Sequence, residues 1–156
     1  MLSDSKRLSY LDIAVVGGAA GAFVAGFMPW VSYQVDLLPG PVSVHGWSAG
    51  FTAWAGVLLL SVAGLLWVVL RVGSWSSTTA RAALPVLGVS AVGLILVLVR
   101  WLSVPANNLV VYHWARYGIA VAVVAGLVEV SAALMPIGVS GEWLLGLRPG
   151  RRRSLG

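Results

Sequence analysis

One carboxylate stands in the middle of an apolar stretch: Glu129, within the 23-residue run 117–139. A charged side chain at the centre of a membrane helix costs about 2.5–3.5 kcal/mol on insertion scales, so an acid kept there needs a reason. Two chemistries fit it. A protonated carboxyl hydrogen-bonded by neighbouring hydroxyls is a structural solution; a carboxyl that exchanges a proton or a cation is a functional one. Counting about 1.5 Å per residue sets Glu129 roughly 18 Å below the start of its helix at Tyr117. The same count brings Ser61, Ser90 and Gly21 to nearly that depth and leaves Arg100 about 15 Å away. The sequence therefore predicts an intramembrane polar layer of Glu129, Ser61 and Ser90. Arg100 is expected to turn outward among Trp101 and the lipid headgroups.

The two histidines offer a second kind of chemistry. His45 and His113 are expected outside the membrane, where with Asp36 they could ligate a metal or titrate as a pH sensor. Neither has metal-motif spacing, and both adjoin tryptophan (His45-Gly46-Trp47 and His113-Trp114), as interfacial residues do. No metal or cofactor is assigned. Tyr33, Asp36, His45, Trp47 and His113 stand instead as candidates for external interaction. The chain has no cysteine, which excludes thiolate metal sites and disulfide exchange. No nucleophile elbow, phosphate loop, zinc-binding helix or paired carboxylates occurs, and the five acidic residues are scattered. Nothing argues for an enzyme.

These residues must be positioned by four apolar runs, at 13–31, 49–70, 82–99 and 117–139. Each comes within a couple of residues of the length, about 20 residues, that crosses a bilayer core. Hydrophobic residues make up 59% of the 156-residue chain and charged ones only 10%, against about 25% charged in soluble domains. The fold class expected is an all-α membrane protein: one four-helix transmembrane bundle over residues 1–148, with spans near 12–31, 49–70, 82–102 and 116–138. A basic tail, 149–156, follows. The first run, extending through Phe23, Phe27 and Trp30, is too long for the apolar core of a cleaved signal peptide and reads as a retained helix.

Orientation follows the cations. With the N-terminus inside, Lys6, Arg7, Arg71, Arg81, Arg148, Arg151, Arg152 and Arg153 are cytoplasmic, and only Arg100 and Arg116 lie outside. Both termini are then cytoplasmic, in a multi-pass plasma-membrane protein. Trp30, Trp47, Trp101 and Trp114 are expected at the outer interface; Tyr10, Trp67, Trp75 and Trp143 at the inner one. In the first external loop, residues 31–35 and 42–45 can pair as a short hairpin around Leu38-Pro39-Gly40-Pro41. The second, Ser103 to Ala115, reads as a loop turning at Pro105, Asn107 and Asn108. The inner loop from Arg71 to Arg81 offers helix caps. Pro136 is expected to kink or end the fourth helix. The Arg-rich tail suits anionic lipid, at about 1 kcal/mol per cation, and is too short to suggest nucleic acid.

Pro29-Trp30-Val31-Ser32 closing the first span and His45-Gly46-Trp47-Ser48 opening the second carry a resemblance. With this layout, the chain resembles small four-span actinobacterial membrane proteins of unknown function. Its β-prone first loop also resembles the claudin plan. The paired cysteines and Gly-Leu-Trp motif of claudins are missing, so no barrier function is implied.

Membrane helices associate through close packing of small residues. On the first helix Ala14, Gly17, Gly18, Gly21, Ala22 and Ala25 are expected on the packed side, with Val16, Phe23, Val24 and Phe27 facing lipid. The second offers Ala49, Ala53, Gly56 and Gly64. On the fourth, Ala122, Ala125, Gly126, Glu129, Ala132 and Ala133 share one face, opposite Val123, Leu127, Val130 and Leu134. Small-residue surface without recognisable chemistry suggests a structural or accessory membrane protein that self-associates or joins a larger complex. The alternative is a small oligomeric channel or transporter using Glu129 as a proton or cation site.

Overall fold

The computed structural model describes residues 10–35, 39–72, 79–104 and 111–144. They form four helices, α1 (Tyr10–Ala25), α2 (Phe51–Val72), α3 (Thr79–Leu102) and α4 (Tyr117–Leu144), and three strands, β1 (Pro29–Val35), β2 (Val42–His45) and β3 (Val111–Ala115). The helices close a ring in which α1 packs on α2 and α4, and α3 packs on the same two. Across the diagonal, Gly126 of α4 lets Leu60 of α2 approach; a Cβ there would stand 3.3 Å from its Cδ1.

Phe51–Arg71, Ala83–Leu102 and Tyr117–Ile137 are each long and apolar enough to cross a membrane. This is a helical membrane protein. The first helix is shorter than its apolar run, with 16 residues, or about 24 Å. Hydropathy runs on to Val31, but proline has no N–H to donate and disfavours helix in the residue before it. The chain accordingly unwinds before Pro29: Phe27 and Met28 donate to Val24 and Ala25, three residues back. What was expected as the last turn of a span is the first strand.

The expected hairpin exists, with Ser32 opposite Ser43 and Tyr33 opposite Val42. The second external loop, expected to be only a loop, adds β3 on the other side of β1, with Tyr33 opposite His113 and Val31 opposite Ala115. The sheet order is therefore β2-β1-β3, with β1 central and β2 and β3 as edges. A register irregularity between Pro29 and Val31 sets Trp30 apart from the ladder. A 3-10 turn, Gly46–Ser48, leads from β2 toward α2. Gly50, at φ +109°, makes the last bend in a conformation that favours glycine. Its carbonyl accepts the first helical bonds, from Ala53 and Trp54.

Pro136 lies inside α4, which continues to Leu144. The helix does not end at this proline, and Glu142 to Leu144 belong to it. The inner loop at 73–78, the turn residues Pro105, Asn107 and Asn108, and the tail at 149–156 lie outside the described residues.

Buried apolar side chains form two clusters. Trp30, Val57, Leu60, Val97 and Ile119 fill the end nearest the sheet, and Val15, Trp67, Val86 and Ala133 fill the far end. Val16, Phe23, Val24, Phe27, Leu127 and Leu134 face outward as expected. Val123, assigned to the outward face of α4, is buried.

Candidate functional site

Glu129 sits on the buried face of α4 with Ala122, Ala125, Ala132 and Ala133, and no part of it is accessible. The residue opposite is Gly18 of α1. A Cβ at Gly18 would stand 2.9 Å from the Ala125 carbonyl oxygen and 3.0 Å from the Glu129 Cβ. Glycine is needed there because α1 and α4 meet backbone to backbone. Gly21, expected at this level, lies a turn away against Ala125.

The expected hydrogen-bonded layer does not form. Both carboxyl oxygens of Glu129 are buried without a hydrogen-bond partner. The Ser61 hydroxyl donates to the Val57 carbonyl at 2.8 Å, and the Ser90 hydroxyl to Val86 at 2.8 Å. A helical serine can always satisfy itself on the carbonyl four residues back, and both take that option. Arg100 is not paired with Glu129, as expected; the residue is half-buried near the sheet end of α3, with its Nε buried and without a partner.

Of the predicted packing residues, Gly18, Ala22, Ala25, Ala122, Ala125 and Gly126 are buried. Gly17 is exposed, and nothing lies within 4 Å of where its Cβ would be. Its place is taken by Ala19, which packs directly on Gly64 of α2. The contact stripe of α1 is thus rotated by a fraction of a turn from the one read off the small residues.

A polar clasp that the sequence reading did not find ties α1 to α2 at the end far from the sheet. Asp12 accepts from Arg71 Nε at 3.0 Å and Nη2 at 3.1 Å, and from Trp67 Nε1 at 2.9 Å. The guanidinium also lies 5.8 Å from the centre of the Trp67 ring. Bidentate geometry over an aromatic face is specific to arginine. Trp67 was expected among headgroups; its pairing with Asp12 explains why it is buried instead.

The sheet end is fastened through the two tetrapeptides singled out in the sequence. Trp30 is fully buried, and its indole donates to the Ala25 carbonyl at 2.7 Å. Gly46 and Gly118 flank it so closely that a Cβ at either would stand 2.6–2.8 Å from its ring. Trp47 meets Phe23 and Phe27 edge to face, and Gly26 leaves room for its ring. Arg116 donates from its backbone to Trp30 and from Nε to the Ser32 hydroxyl, which also bonds Ser43.

The external candidates do not converge. His45 is exposed at the end of β2, opposite Pro29, whereas His113 lies on β3 opposite Tyr33, which is half-buried. Four residues along β1 and two strand spacings separate the histidine backbones by roughly 16 Å. Asp36 lies outside the described residues. Among those described, no three metal-ligating side chains gather. Comparison with protein-family models, with curated proteins and with solved structures finds no match. The geometry alone carries the functional reading.

Proposed function

We propose that the protein is a structural or accessory component of the plasma membrane that assembles, with its own copies or with a larger membrane complex, through its external sheet. In this reading α1 crosses with the other three helices, both termini are cytoplasmic, and the sheet stands outside. The eight-to-two distribution of cations supports that orientation. The Arg-rich tail then meets the anionic inner leaflet.

The observation that carries the reading is the sheet itself. Both external connections contribute strands to it, and it ends in two edges, β2 and β3. Edge strands carry backbone donors and acceptors ready to pair with another chain. Trp30 and Arg116 hold this platform on the bundle. The fixed and buried base suits a scaffold better than a moving part.

The test is the mass of the protein extracted in mild detergent, with any co-purifying chain identified. Assembly predicts a mass above one chain plus its detergent. A lone monomer at every concentration contradicts it.

A further inference from the structure

The seam between α1 and α4 encloses an acid that nothing satisfies. The charged and hydroxyl groups described on the bundle do not reach it. Asp12, the carboxylate on α1, is held by Arg71 of α2 and by Trp67. Arg116 is bound to Ser32 at the sheet end, and Arg100 lies near the sheet end of α3. The hydroxyls of Ser61 and Ser90 point to their own helices. Among the described residues, no cation pairs with Glu129.

Toward the far end the same seam is parted. A groove of about 420 Å³ runs between α1 and α4, lined by Tyr10, Leu11 and Ala14 on one side and Val128, Ser131 and Ala132 on the other, with Leu127 and Met135. Val128 and Ala132 flank Glu129 in sequence, one and three positions away. The polar side chains of this lining are the Ser131 hydroxyl on α4 and the Tyr10 phenol on α1, the latter its one titratable group. Glu129 does not itself line the groove, which ends short of it along the same seam.

We propose that Glu129 is a proton-binding site that loads and unloads through the α1–α4 seam. The ligand is a proton. As a neutral acid, the side chain lies against Gly18 with the seam closed. An ionised carboxylate there is a buried charge without partner, which is far costlier than the acid. Loss of the proton therefore drives the side chain toward the groove, where entering water solvates it. The closed seam is favoured at low pH and lost as pH rises. This proposal is independent of what the external sheet binds.

The full chain in phospholipid nanodiscs tests it, since a protein without cysteine accepts labels only where they are placed. Spin labels go at Gly17→Cys on α1 and Val124→Cys on α4, both exposed positions. Electron paramagnetic resonance then reads their separation across a pH series. The expected result is a shift to longer distances as pH rises, with loss of the infrared carboxylic-acid band over the same range. Glu129→Gln should hold the short distance throughout and lack the band. A distance that ignores pH overturns the proposal, as does the same shift in Glu129→Gln. If that variant does not fold, the wild-type measurements decide: a shift without loss of the band overturns it, and a concerted change supports it.

Discussion

Asp12 accepts hydrogen bonds from Arg71 and Trp67, while Glu129 has no hydrogen-bond partner on either oxygen. Asp12 sits at a helix end, where a cation on a neighbouring helix can reach it and remain in contact with water. Glu129 sits at mid-seam against a glycine. The isolation of Glu129 was legible from its depth and from the distance to Arg100. Its lack of hydroxyl partners was not, because sequence cannot tell whether a serine bonds across to another helix or back to its own. The Asp12 clasp was missed although the depth count applied to Glu129 also pairs the two helix ends. For Asp12→Asn we expect a loss of about 1–2 kcal/mol, a range discounted for the exposure of Arg71. Thermal unfolding in detergent measures it. Arg71→Lys should lose nearly as much, because lysine cannot make the forked contact. Unchanged melting of both variants would mean the clasp is incidental.

Helices are set by hydropathy, but their ends and faces are set by single residues. The apolar run of α1 gave no warning of its end; Pro29 did, and it outweighs the two apolar residues after it. Strand β3 was hidden for the opposite reason. Val111-Tyr112-His113-Trp114 has β-prone composition, but its aromatics also fit a membrane interface, so the segment passed as a loop. The packed face of α1 was legible only approximately, since Gly17 and Gly18 are adjacent and periodicity cannot choose between them. Contact does. Gly18→Val should sharply reduce the yield of folded protein, because its Cβ would meet the α4 backbone. Gly17→Val, placed in open space, should leave yield and melting nearly unchanged. Equal effects at the two positions would show that α1 docks on another face.

At the scale of the whole molecule, a bundle fastened at both ends carries a sheet with two edges. The far clasp ties α1 to α2, and the sheet ties the chain after α1 to the chain before α2 and before α4. Four apolar runs and a hairpin could be read from the sequence. The joining of both external connections in one sheet depends on long-range pairing that no local pattern states. The claim that most needs testing is that this sheet lies outside the cell and is the surface of assembly. His45 is exposed on edge strand β2, and in a chain without cysteine His45→Cys is a unique handle. Intact cells expressing it are treated with a membrane-impermeant reagent bearing a maleimide and a photoreactive group, with Val124→Cys on the bundle surface as control. The account predicts labelling of His45→Cys and a covalent product joining the chain to a second copy or a partner, with neither from the control. An unlabelled His45→Cys, or one that labels but never cross-links, would contradict it.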